Sequence, residues 1–138
     1  MHKITQLDSF DMDIDYRALC ENLARGNMEN TMKEFKKLAG GWIKSENIVA
    51  YRAFLNSLNY AIYYYTLFMH NISLKHCCYH CTILMHKKIT SKNFIPTASM
   101  IIGQYYDELL ENNILGVNPS LKSVFKYIDD NIKKPISL

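Results

Sequence analysis

The chain has 138 residues, of which 49% are apolar and 21% charged, which suits one ordinary folded domain and excludes wholesale disorder. Its formal charge of +3 is too small to imply nucleic acid by itself, and the basic residues are scattered apart from Lys33, Lys36 and Lys37, then Lys87 and Lys88, then Lys133 and Lys134. Only 3 Pro and 5 Gly are present, too few turn residues for a small sheet-rich domain, so helices are favoured.

No apolar run approaches the roughly 18–20 residues of a membrane span; the densest, Ala61 to Met69, is short and rich in Tyr. The opening MHKITQLDSFDMDID lacks the apolar stretch of a secretory signal and turns acidic quickly. Cys77, Cys78 and Cys81 crowd together and leave Cys20 alone, a poor disulfide framework that fits a reducing, cytoplasmic compartment.

Residues 1–13 read as a loose lead-in. A first helix is expected from Ile14 to Gly26, with Tyr16, Leu19, Cys20 and Leu23 on one face. Gly26 suits the helix end, and Asn27 suits the cap of a second helix carrying Met28, Met32, Phe35 and Leu38. Gly40-Gly41 is expected to stop that helix, making an antiparallel hairpin.

Ser45 is the expected cap of a long third helix, with Glu46 in its first turn and Tyr51, Phe54, Leu55, Leu58, Ala61, Ile62, Tyr65 and Phe68 as its core positions. The fourth is expected after His70-Asn71, with Leu74, Cys77, Cys81 and Leu84 facing inward and an end near Lys88. Residues 89–95 read as a loop. Pro96 opens a fifth helix using Ile101, Ile102, Tyr105, Leu109 and Leu110, with Gly116 beyond its end. Asn118-Pro119-Ser120 starts a sixth, with Leu121, Val124, Phe125, Ile128 and Ile132 on one face and Pro135 at its stop. Ser137 then reads as the cap of a helix whose body is missing.

The fold class expected is all-α, a compact antiparallel bundle of five to six helices in which the third packs against the fourth and fifth. Residues 1–116 form one domain and 117–138 the start of another.

The chemistry-bearing cluster is His76-Cys77-Cys78-Tyr79-His80-Cys81. On a helix Cys77 and Cys81 share a face, as do His76 and His80. A tetrahedral zinc site needs a second ligand pair, and His2, His70, His86 and Cys20 are isolated in the sequence. Cys77 and Cys81 are therefore read as small apolar residues continuing the stripe of Leu74 and Leu84. Adjacent positions such as His80 and Cys81 point about 100° apart on a helix, which does not make a thiol–base pair. The carboxylates Asp8, Asp11, Asp13, Asp15 and Asp107, Glu108, Glu111 lack the spacing of a metal loop. Tyr60, Tyr63, Tyr64 and Tyr65 cover the whole helix circumference, so some belong to the core and others suit a partner subunit. The sequence thus points to no catalytic, cofactor-binding or metal-ligating residue.

The C-terminal run NPSLKSVFKYIDDNIKKPISL resembles the opening of the AraC-type helix-turn-helix domain, with Val124, Tyr127, Ile128, Asn131, Pro135, Ile136, Ser137 and Leu138 in the matching places. The preceding region is similar to a helical segment found upstream of that domain in many Firmicutes members, through LARGNMENTMKEF, RAFLNSLNYAI, MHNISLKHCCYHCTILMHKKI and QYYDELL, with Gly26, Leu58, Asn59, His70 and Leu74 at corresponding positions. It departs from that segment where Phe68-Met69-His70-Asn71 replaces a Gly-Val/Ile-His-Pro step, and where Cys77 and Cys81 replace larger apolar residues. The resemblance implies a regulatory or dimerisation segment of a bacterial transcription regulator. DNA would be a partner of the intact protein only, because neither recognition helix is present, and no DNA-contacting residue is carried over. A homodimer is expected, no membrane partner is, and the sensed signal is left open. The competing expectation is a stand-alone helical module for protein–protein interaction; a zinc-dependent protein is a third.

Overall fold

The computed structural model describes residues 14–45 and 48–112. Within them the chain is an all-α bundle: α1 (Arg17–Ala24), α2 (Met28–Ser45), α3 (Ile48–His70), α4 (Lys75–Leu84) and α5 (Phe94–Glu111). The expected sixth helix, the lead-in at 1–13, Glu46, Gly116 and the 116/117 domain boundary lie outside the described residues.

The turn between α1 and α2 is built as its sequence predicts, although α1 begins at Arg17 rather than at Ile14. Gly26 takes a φ of 81°, the left-handed region that costs glycine little. Its N–H donates to the Leu23 carbonyl, and that of Asn27 to the Asn22 carbonyl, each at 2.9 Å. Two orphan carbonyls of α1 are thereby satisfied in a Schellman motif. Asn27 Oδ1 accepts the Asn30 N–H at 3.0 Å and caps α2.

α2 does not stop at Gly40-Gly41 but runs on to Ser45, which is therefore its last residue rather than the cap of α3. The reason is Trp42, buried with its ring 5.4 Å from that of Phe54. Two helical glycines cost about 1 kcal/mol each relative to alanine. Burying an aromatic ring returns about 2–3 kcal/mol, and Ala39 and Phe35 on the same face add to it.

α3, about 35 Å long, is the central helix and contacts each of the other four. Tyr51, Phe54, Leu55, Leu58 and Ile62 face inward as expected. Phe54 is the hub of the core, its ring meeting Tyr16, Phe35, Trp42 and Phe94 at 5.4–6.0 Å. Phe68, expected in the core, is 75% exposed. The left-handed Asn71, φ 56°, ends α3, and the Ile72 N–H reaches back to the Thr66 carbonyl at 3.3 Å.

α4 ends at Leu84, short of Lys88, and Met85 takes the core place expected of Leu84. Its last turn is held from α3: Arg52 donates to the Met85 carbonyl and, at 2.8 Å, to that of Lys87. Asn93 holds the loop that follows, donating to the Lys88 carbonyl at 2.8 Å and accepting the Thr90 N–H at 2.7 Å. α5 begins two residues ahead of Pro96, which sits in its first turn, where a missing N–H leaves no helical bond unmade. Leu110, expected to be buried, is 55% exposed, while Phe94, Thr97 and Ala98 extend the inward face.

Candidate functional site

Three places in the bundle carry groups that could do chemistry or bind. The first is the Cys/His cluster of α4. Cys77, Cys78 and Cys81 are buried and free, whereas His76 and His80 are exposed on the other side of the helix. The fold therefore separates the two residue types that a metal or a nucleophile–base pair would need together. Among the described residues no group of three or more His, Cys, Asp or Glu stands close enough to hold a metal ion. A hydrogen bond to Cys81 and burial push the Cys77 thiol well above its ordinary range; burial also raises Cys78 and takes Cys20 up to about 12. Neutral thiols in apolar surroundings are poor nucleophiles and poor ligands. Cys77 and Cys81 sit in the core as the helical stripe predicts. The burial of Cys78 is not foreseen by that stripe.

The second place is a buried polar network joining α3, α4 and α5. The Tyr105 hydroxyl, on α5, donates toward the Asn59 side-chain oxygen at 2.6 Å and lies 3.2 Å from the Asn59 carbonyl. Asn59 Nδ2, on α3, donates to the Cys78 carbonyl of α4 at 3.0 Å and reaches Thr82 Oγ1 at 3.4 Å. Thr82 Oγ1 donates to the same Cys78 carbonyl at 3.0 Å. Burial holds the Tyr105 hydroxyl protonated far into alkaline pH. This network is enclosed by the three helices, so it orients them rather than offering a reactive group to solvent. Of the positions that carry the resemblance, Leu58, Asn59, His70 and Leu74 are all buried and Gly26 makes the α1 turn.

The third place is the outward face of α3. Tyr60 is 47% exposed, Tyr64 50% and Phe68 75%, and their spacing of four residues lines them up along one side of the helix. The Tyr64 and Phe68 rings are stacked, 5.9 Å apart and 12° from parallel, forming a flat apolar platform; Tyr63 meets Tyr64 edge-on at 5.1 Å. Toward the N-terminus the same face carries the partly exposed Ala53, Asn56 and Ser57. From Ala53 to Met69 the sequence contains no Asp, Glu, Lys or Arg, so this face has no charge of its own.

An open groove of about 450 Å³ borders the platform, between α3 and the start of α1, with Ile14, Tyr16, Cys20, Tyr64, Tyr65 and Phe68 in its lining. Asp15 and Arg17 also line it and neutralise each other: Asp15 Oδ2 accepts from Arg17 Nη2 at 2.8 Å, and Oδ1 from Nε at 3.1 Å. That hydrogen bonding holds the Asp15 carboxyl down at about 2. Burial raises the Tyr16 hydroxyl to about 12. Lys33, Lys36 and Lys37 of α2, in contrast, lie on a solvated surface, Lys33 pairing with Glu29 at 3.5 Å and Lys37 with Glu34 at 3.7 Å.

Of the four neighbouring tyrosines, Tyr60 and Tyr64 turn to solvent and Tyr63 and Tyr65 are half-buried against the core. Sequence reading placed Phe68 inside because it extends the spacing of Tyr65 and Ile62. The uncharged run from Ala53 onward was the signal that could have marked the whole outward face. Among the described residues no helix is long and apolar enough to cross a membrane. No protein-family model, no curated protein and no solved structure matches this chain.

Proposed function

We propose that this chain is a non-catalytic regulatory and dimerisation segment of a bacterial AraC-type DNA-binding transcription regulator. The observation that carries the reading is the uncharged, aromatic outward face of α3. From Ala53 to Met69 α3 carries no charge, and it exposes aromatic rings opposite its core face; an exposed apolar patch of this kind suits an interaction surface. Among the described residues Cys20, Cys77, Cys78 and Cys81 are buried, and the exposed His76 and His80 stand on the other side of α4 from its thiols. Four free cysteines fit a cytoplasmic protein. The resemblance of residues 118–138 to the start of the helix-turn-helix domain supplies the regulator. In that reading DNA is contacted by the intact protein alone, through two helix-turn-helix units set in major grooves.

Sequencing the native transcript through and past the Leu138 codon tests this reading. Two helix-turn-helix units in frame are expected. A stop codon there overturns the regulator and leaves a stand-alone interaction module, for which Val124, Phe125 and Ile128 would have to be buried against the bundle. Those three residues lie outside the described part of the chain.

A further inference from the structure

We infer that the loop between α4 and α5 is a binding site for a compact oligophosphate, held by Lys87, Lys88 and Lys92. The inference rests on the described residues alone and is independent of the regulator reading.

Charge comes first. From Asn47 to Tyr106 the sequence contains no Asp or Glu, yet it carries Arg52, Lys75, Lys87, Lys88 and Lys92. All but Lys75 gather at one end of the bundle. Arg52 reaches from α3 to the loop, where it donates to the Met85 and Lys87 carbonyls. Lys87, Lys88 and Lys92 are exposed along the loop itself, with His86 beside them. Among the described residues no carboxylate pairs with any of these cations. Glu29 and Glu34 are taken up by lysines of their own helix, and Asp107 lies about 20 Å along α5 from Phe94.

Helix-end stabilisation does not account for these lysines. A lysine near a helix C-terminus ordinarily answers the free carbonyls there. α4 ends at Leu84, and Arg52 already donates to two carbonyls beyond it. Lys87 and Lys88 therefore lie past the helix and face solvent. Gathering like charges costs free energy, which a bound anion would offset.

The loop is also held in place without a ligand. Met85 and Ile89 are sunk in the core on either side of His86–Lys88. Asn93 donates to the Lys88 carbonyl at 2.8 Å and accepts the Thr90 N–H at 2.7 Å. α5 then starts with Phe94, and its positive dipole end adds to the same end of the bundle. A loop fixed in this way has little backbone freedom left to lose on binding.

The arrangement selects the ligand. Cations confined to residues 87–92 suit an anion whose charges are equally close, whereas a nucleic-acid backbone calls for a stripe along a face. Lysine meets phosphate oxygens as a point charge, and a planar carboxylate is met best by the arginine fork. The one arginine here has both terminal nitrogens engaged with backbone carbonyls. A short chain of phosphates is the compact anion that fits.

Isothermal titration calorimetry with inorganic tripolyphosphate tests the inference. The unaltered chain is expected to bind it, and the triple variant Lys87→Gln/Lys88→Gln/Lys92→Gln to bind at least about tenfold more weakly. The matched variant Lys33→Gln/Lys36→Gln/Lys37→Gln removes the same charge from α2 and should change the affinity by less than about threefold, since distant surface charges are screened. All of these lysines are exposed, so the helical circular dichroism should hold in both variants. No binding by the unaltered chain, or equal losses in the two triple variants, overturns the inference. So does a short DNA duplex that displaces the tripolyphosphate at a lower phosphate concentration, which would give the loop to an extended backbone. A stop codon after Leu138 leaves these titrations untouched.

Discussion

The Tyr105 hydroxyl donates to the Asn59 side-chain oxygen at 2.6 Å, and neither residue has any exposed surface. The bond ties α5 to α3, and the Asn59 amide carries the tie on to α4. Replacing Tyr105 by Phe removes the donor but leaves Asn59 enclosed. We expect a loss of about 1–2 kcal/mol in urea unfolding, with the helical circular dichroism retained.

Phe54→Ala should cost more, about 3–5 kcal/mol. Four rings pack around Phe54, from α1's neighbour Tyr16, from α2 and from α5, so the space it vacates has several rigid walls. The same unfolding measurement checks this, and a loss below about 1 kcal/mol would contradict the hub.

The glycines should respond with opposite signs. Gly40 and Gly41 are helical, and an added Cβ would meet nothing within 4 Å. Alanine at either position is expected to stabilise by about 0.4–1 kcal/mol. Gly26, at φ 81°, should be destabilised by alanine by about 1 kcal/mol or more. Thermal midpoints of the three variants would show two increases and one decrease.

Stability should fall on the alkaline side. Burial moves the Cys20 thiol from its ordinary 9.0 up to about 12, and the Tyr16 hydroxyl from 10.0 up to about 12. Between these values the unfolded chain releases protons that the folded chain keeps. The unfolded state then binds fewer protons, and the unfolding free energy decreases with rising pH. The contribution is complete below about pH 9 and is lost as pH rises through 12. Urea midpoints should therefore be level from pH 7 to 8.5 and lower at pH 10. The same burial predicts that thiol reagents label Cys20, Cys77 and Cys81 slowly until urea opens the bundle.

Much of the fold was legible because it rests on local rules. Gly26 and Asn27 announced a turn that depends on one left-handed residue and one side-chain cap, and the Leu19–Leu23 and Ile101–Tyr105 stripes lie where their spacing puts them. The Gly40-Gly41 stop failed because Trp42 gains more from reaching Phe54 than two glycines cost, and that balance is tertiary. The end of α4 likewise depends on Arg52, more than thirty residues earlier in the chain. For the same reason spacing could mark Cys77 and Cys81 as core but could not pair Asn59 with Tyr105. In the outward face of α3 the spacing misled at Phe68, because Tyr60, Tyr64 and Phe68 put large rings on the outer side as well and no charged residue from Ala53 to Met69 marks it.

The central claim is that this outward face is the interaction surface of a dimerisation segment. Nitration of tyrosines by tetranitromethane, mapped by mass spectrometry at high and low protein concentration, tests it most directly. Tyr79, 68% exposed on α4, is the internal control, beside Tyr60 at 47% and Tyr64 at 50%. The account predicts that Tyr79 reacts equally at both concentrations, whereas Tyr60 and Tyr64 are protected in concentrated solution and react on dilution. Equal nitration of all three tyrosines at every concentration would contradict it.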